Sequence, residues 1–255
     1  MCLIGIALDH FDDYPIVILA NRDEFHDRST APLHQWPDMP AIFAGRDEQA
    51  GGTWLGVSRT GRIAALTNVR GEVPLTAATR SRGQLVTDFL NSTLSTEEWL
   101  QQIAPTVQHF AGFNLLLHDN SSRFSIFSSS GDQRQIEIGV HSLSNGTLDA
   151  DWPKERRLKK ALSALDDANN VERLREVIED RIQAVDEDLP NTGVGLALER
   201  QLAPQLIVGD TYGTRSTAVL RVDLRGDIDF REYTRNPDGR VTNQIAMKVS
   251  PSANG

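Results

Sequence analysis

Short, almost wholly apolar runs alternate along the chain with charged stretches whose apolar residues recur at helical spacing. Residues 2–8 and 15–20 are two such runs, rich in branched residues and separated by a polar turn over 9–14. Runs this apolar predict strands covered on both faces, in the middle of a layered sheet. Residues 53–58 and 62–67 flank Arg59-Thr60-Gly61, a hairpin pattern with glycine in the turn. Ser81 predicts the cap of a helix over 83–90, and Ser95 followed by Glu97 and Glu98 opens another. Strands are expected at 113–118, 123–128, 135–140 and 141–143, the last two readable as one. Residues 154–185 are charged, with Leu158, Ala161, Leu162, Leu165, Val171, Leu174, Val177, Ile178 and Ile182 at helical intervals. The basic stretch over 154–160 reads as a solvated helix face. Strand pattern returns at 216–224, 227–233 and 241–247.

Strands, then helices, then strands predict an α+β domain in which distant segments pair. No linker, repeat or low-complexity run interrupts the 255 residues, so a single domain over 1–255 is expected.

Composition narrows the function classes. Hydrophobic content of 39% and charged content of 24% are those of a soluble globular protein. The formal net charge of −9 argues against binding nucleic acid or an anionic membrane surface. No apolar run approaches the roughly 18 residues that cross a bilayer. The first residues lack the basic and long apolar regions of a signal peptide, which predicts a cytoplasmic protein. The six histidines show no paired ligand spacing and one cysteine cannot complete a zinc site, so neither metal nor cofactor is expected. The sequence leaves the oligomeric state open.

That one cysteine, Cys2, directly follows the initiator methionine. Cysteine is small enough for the methionine to be trimmed, which would leave a terminal residue carrying both a thiol and a free α-amine. The amine, with a pKa of about 7.7–8.0 in an unperturbed terminus, is suited to take the thiol proton near neutral pH. The second apolar run ends in Asn21-Arg22-Asp23-Glu24. If the first two strands pair antiparallel, this cluster lies beside the start of the first strand. An arginine there would hold a thiolate, and a carboxylate would orient the terminal ammonium.

The Met-Cys start, Asn21-Arg22-Asp23-Glu24 and Gly51-Gly52-Thr53-Trp54-Leu55-Gly56 resemble the NRDE family, that of the transport and Golgi organisation protein 2. Ala65-Leu66-Thr67-Asn68, Ser81-Arg82-Gly83, Gly112-Phe113-Asn114-Leu115-Leu116, Leu143-Ser144-Asn145, Trp152-Pro153-Lys154 and Tyr212-Gly213-Thr214-Arg215-Ser216 extend the resemblance over nearly the whole chain. The family in turn resembles cysteine N-terminal-nucleophile (Ntn) hydrolases of the bile-salt hydrolase and penicillin V acylase type. That resemblance implies a four-layer αββα sandwich and an amidohydrolase cleaving a small non-peptide amide or acyl compound. It implies Cys2 as nucleophile, Arg22 as thiolate partner, Asp23 or Glu24 as the acid, Asn68 in the oxyanion hole, Asn145 as the second asparagine, and Arg215 as a late arginine. Asn21, Trp54 and Thr67 would contact substrate. The enzymes separate their arginine and aspartate by two residues, whereas Arg22 and the two acids are adjacent here, so either Asn21 or Arg22 fits the arginine position. What is known of the family also implies an alternative, a non-catalytic haem, acyl-CoA or lipid carrier that keeps the fold.

Overall fold

The computed structural model describes residues 3–70, 79–121 and 123–252. Contacts divide the chain into two compact units, Met1–Asp27 with Glu137–Lys248, and Arg28–Ile136 with Val249–Gly255. The chain leaves the first unit after its opening hairpin and returns for its second half.

The first unit holds, among the described residues, an antiparallel sheet of six strands. These are β1 (Leu3–Phe11), β2 (Tyr14–Phe25), β10 (Gly139–Leu143), β11 (Tyr212–Val222), β12 (Ile228–Arg235) and β13 (Val241–Val249). Their order across the sheet is β10-β1-β2-β11-β12-β13, so the two most apolar runs are interior strands, as their patterning predicts. Leu3 stands opposite Asn21, which fixes the antiparallel register of the opening hairpin. Helices α3 (Pro153–Ser163) and α4 (Val171–Val177) cover one face. Leu158, Leu162, Val171 and Leu174 from these helices bury against Leu3, Val17, Leu19 and Val219. Short helix α5 (Leu196–Gln201) lies in the segment before β11.

The second unit holds an antiparallel sheet in the order of the chain. Its strands are β3 (Thr30–Gln35), β4 (Ile42–Asp47), β5 (Leu55–Ser58), β6 (Ile63–Asn68), β7 (Phe113–His118), β8 (Ser125–Ser128) and β9 (Gln133–Gln135). Helices α1 (Arg82–Leu90) and α2 (Thr96–Ile103) supply its apolar cover: Phe89, Trp99 and Leu100 pack with Trp36, Phe113, Leu115 and Phe127. The hairpin β5–β6 turns at Gly61, whose φ of 83° is open to glycine at no steric cost. Ser95 caps α2 through its side chain, whereas Ser81 precedes α1 without a capping hydrogen bond.

The α+β class is therefore as the strand–helix–strand pattern predicts, with each sheet carrying helices. Two expectations are corrected. Residues 135–143 are not one strand: β9 ends at Gln135 in one sheet and β10 begins at Gly139 in the other. The stretch over 154–160 is not a wholly solvated face, because Lys154 and Glu155 are buried. Ile182 lies beyond α4 and is exposed.

Candidate active site

Strand pairing gathers several of the expected residues at one end of the six-stranded sheet. Ile4 is paired on one side with Ala20 of β2 and on the other with Leu143 of β10. Arg22 lies two residues past Ala20, and Asn145 two residues past Leu143. Arg22 therefore lies on β2 beside the N-terminal end of β1, and Asn145 lies in the loop that follows β10, the strand on the other side of β1. Cys2, the residue before Leu3 in sequence, lies outside the described residues.

The four residues of the 21–24 cluster have different surroundings. Asn21 is fully buried, on the face that packs under α3 and α4 with Val17 and Leu19. Its Nδ2 donates to the Ile178 and Gln205 carbonyls, each at 2.8 Å, and its Oδ1 accepts from Thr217 Oγ1 at 2.7 Å. Three good bonds satisfy both of its donors and its acceptor. Strand alternation turns Arg22 to the opposite face, that of Ile18 and Ala20. It is 4% exposed, an unusual depth for a permanently charged group. Asp23 is also buried, and its Oδ1 accepts from Thr214 Oγ1 at 2.6 Å. Thr214 is anchored in turn, since Oγ1 accepts from Ile207 N at 2.9 Å. Glu24 is half-buried and accepts from the Phe25 amide at 2.9 Å.

Arg215 reaches the same end of the sheet through a β-bulge. Thr214 pairs with Asp23 and Ser216 with Arg22, which leaves Arg215 as the extra residue between them. Its Nη1 donates to the Phe25 carbonyl at 2.7 Å, holding the guanidinium across the end of β2. A second polar chain lies behind Asn21. Buried Arg235 donates from Nε to Thr217 Oγ1 at 2.8 Å and pairs with Glu179. Sequence patterning gave no sign of Arg235, because single arginines in strands carry no periodic signature.

Asn145 is buried in the loop after β10, where Ser144 Oγ lies 3.4 Å from its Oδ1. Glu155, one turn into α3, accepts from the Trp152 amide at 3.3 Å. Burial pushes its carboxyl up to about 7, against the pull of the Trp152 amide and of Lys154.

Trp54, Thr67 and Asn68 belong to the second unit. Trp54 is buried, and its carbonyl accepts from the Leu66 amide at 2.8 Å. Thr67 is buried and its Oγ1 accepts from Asn114 Nδ2 at 3.1 Å, so Asn114 joins this group although the sequence motif gave it no role. Asn68 ends β6, half-buried, opposite Phe113. The preceding glycines permit a tight crossing: a Cβ on Gly52 would stand 2.5 Å from the Gly83 carbonyl carbon.

Among the described residues, no group of three or more histidine, cysteine, aspartate or glutamate side chains could hold a metal ion. No helix there is long and apolar enough to cross a membrane.

Comparison with known proteins places this geometry. Residues 1–237 match the family described as Transport and Golgi organisation 2. The chain is 29% identical over 260 residues to the transport and Golgi organization protein 2 homolog of Bos taurus, covering 91% of this chain and 92% of that one. It is 28% identical over 255 residues to the homolog of Homo sapiens, with the same coverage. Among solved structures, the N-acylethanolamine-hydrolyzing acid amidase ortholog of Caenorhabditis elegans superposes with a TM-score of 0.53 at 8% identity, over 86% of this chain and 92% of that one. The fold is that of the Ntn hydrolases. A conjugated bile acid hydrolase mutant from Clostridium perfringens is also similar, with a TM-score of 0.48 at 12% identity over 96% and 92% of the two chains.

Proposed function

Because the chain belongs to the Transport and Golgi organisation 2 family, we propose that its site is that of an N-terminal cysteine amidohydrolase for a small linear amide. The observation that carries this reading is the antiparallel register of the opening hairpin, which puts buried Arg22 beside the start of β1, with Asn145 in the loop that follows the strand on the other side. With Met1 removed, Cys2 supplies the nucleophile and its own α-amine the base. The cysteine sulfur attacks the carbonyl carbon, and the amine of the substrate leaves with the proton held by the α-ammonium. Water, deprotonated by the α-amine, then attacks the thioester and releases the acid, regenerating the thiol.

Arg22, not Asn21, takes the place of the enzyme arginine in this scheme. The donors of Asn21 are committed to Ile178 and Gln205, so it positions the strand and does not contact substrate. The Arg22 guanidinium stabilises the thiolate, which lowers the thiol pKa. Asp23 or Glu24 is the acid that orients the terminal ammonium, and Arg215, whose guanidinium donates to the Phe25 carbonyl, closes the site over the end of β2. Asn145 is the second asparagine of the scheme, a neutral donor to the reacting acyl group or its amine; losing one oxyanion donor typically costs about 100–1,000-fold in rate. For Asn68 in the oxyanion hole, and for Thr67 and Trp54 as substrate contacts, the support is the sequence resemblance alone. The amide hydrolysis named for the nematode amidase makes N-acyl amines the first substrate class to test.

The test is intact-mass measurement after rapid quenching with a panel of N-acyl amines. An acyl adduct on a chain lacking Met1, absent in Cys2→Ala, supports the reading. A chain that retains Met1, or that binds haem or acyl-CoA saturably and never forms an adduct, overturns it in favour of the carrier.

A further inference from the structure

A β-sheet leaves a row of unpaired backbone amides and carbonyls along each outer strand. Folded chains close or spoil those rows, because open ones pair with other strands. The outer strands here are β10 and β13 in one sheet and β3 and β9 in the other. All but one are protected. β3 contains Pro32, which has no amide to offer, and its register shifts between Ala31 and His34. β9 has only three residues, with charged Arg134 at its centre. β10 is covered from outside: Asp149 donates its amide to the Ser142 carbonyl at 2.8 Å, and its Oδ1 accepts from the Ser142 amide at 3.0 Å.

β13 has none of these devices. It runs for nine residues, contains no proline and carries one charge, Lys248 next to its end. Among the described residues, no backbone hydrogen bond from another segment closes its free side. Val241, Asn243, Ile245, Met247 and Val249 share one face of the strand, and Thr242, Gln244, Ala246 and Lys248 the other. That alternation belongs to a strand with one buried face. Burial is complete only at Val249: Ile245 and Met247 are half-buried, and Val241 is 40% exposed. The strand is patterned for a cover that the described residues do not complete.

Charge selects the occupant. The chain has 35 acidic and 26 basic residues, yet β13 has no acid, so two copies can bring these edges together without opposing like charges. Opposed residues of an antiparallel pair stand on the same face. A twofold axis at Ile245 therefore continues apolar face into apolar face. Ile245 meets its own copy, Val241 meets Val249, and Asn243 meets Met247. On the polar face Gln244 meets Ala246, and Lys248 meets the Thr242 hydroxyl.

We propose that β13 is a self-association strand: two copies of this chain pair it antiparallel about Ile245 and join their six-stranded sheets edge to edge. The contact is isologous and uses the one open edge of each copy, so it closes as a dimer and does not grow into a filament. One strand per copy makes it a small, reversible interface. It does not depend on the chemistry of the N-terminal site.

The experiment is analytical ultracentrifugation of the whole protein over a concentration series, with two double variants at positions that are exposed in the single chain. Gln244→Lys with Ala246→Lys opposes like charges twice across the axis and should weaken association at least about tenfold. Gln244→Glu with Ala246→Lys opposes unlike charges at the same places and should keep or strengthen it. Circular dichroism checks that both retain the fold. Amide hydrogen exchange in β13 should slow with rising protein concentration in the wild type and in the unlike-charge variant, and not in the like-charge one. A wild-type dimer that both double variants leave unchanged overturns the proposal. So does a wild type that stays monomeric with concentration-independent exchange in β13, the result expected if the strand serves a foreign extended peptide.

Discussion

Helices α2 and α3 begin with the same backward glutamate bond in different surroundings. Each has a glutamate at its third position that reaches back to a backbone amide before the helix, Glu98 to Ser95 and Glu155 to Trp152. Glu98 is exposed, and its bonds to the Ser95 hydroxyl and amide hold its carboxyl below the ordinary range. Glu155 is sealed from water and pushed the other way by desolvation. The first arrangement is local helix stabilisation added to an element whose apolar face, with Trp99 and Leu100, already anchors it. The second places a titratable group inside the fold, beside the loop of a candidate catalytic asparagine. The same chemical device serves stability where it is wet and carries a cost where it is dry. The dry one stands at the start of the helix that follows the Asn145 loop.

The sharpest contrast should come from the core under α2. Trp99→Ala is expected to cost about 3–5 kcal/mol in denaturant unfolding, with no marked pH dependence, because the loss is apolar contact and cavity. Glu155→Gln should act chiefly through pH. Its carboxyl titrates near 7 in the fold against 4.5 in the unfolded chain, so wild-type stability is fullest below 4.5 and falls as pH rises through about 7. The difference corresponds to about 3 kcal/mol. Unfolding curves across that range should show the decline in the wild type and a flatter profile in Glu155→Gln, and parallel profiles would break the comparison. Ser95→Ala removes a cap at a wet helix start and should cost about 1 kcal/mol. Glu98→Gln should have the smallest effect and the opposite sign. The depressed carboxyl favours the fold above its unfolded pKa, so the variant should lose only the wild type's slight decline as pH falls.

Much of this was legible in the chain because burial on both faces leaves a strong mark. The opening runs became β1 and β2, and the predicted antiparallel hairpin brought Arg22 to the start of β1. Strands β3 and β4 left no comparable mark: Thr30–Gln35 contains Pro32 and is largely half-buried or exposed at a sheet edge. The break between β9 and β10 was hidden because Ile136 and Ile138 continue an alternating pattern while the chain passes from one sheet to the other. Within the site, the Asn21–Glu24 cluster is readable as polar groups ending an apolar strand. The division of labour inside it is not, since only the register shows Asn21 and Arg22 on opposite faces. Glu155 was masked by its neighbours, because Pro153-Lys154-Glu155-Arg156-Arg157 reads as solvated charge. The depth of its first turn is set by tertiary packing alone.

The proposed account depends most on an activated terminal thiol. The direct measurement is the pH dependence of single alkylation by iodoacetamide, followed by intact mass, in the wild type and in Arg22→Leu. The account predicts a chain lacking Met1 whose thiol titrates well below the value of about 8.5 for free cysteine, and upward in Arg22→Leu. A chain that keeps Met1, or a thiol that reacts as free cysteine does and ignores the loss of Arg22, would contradict it.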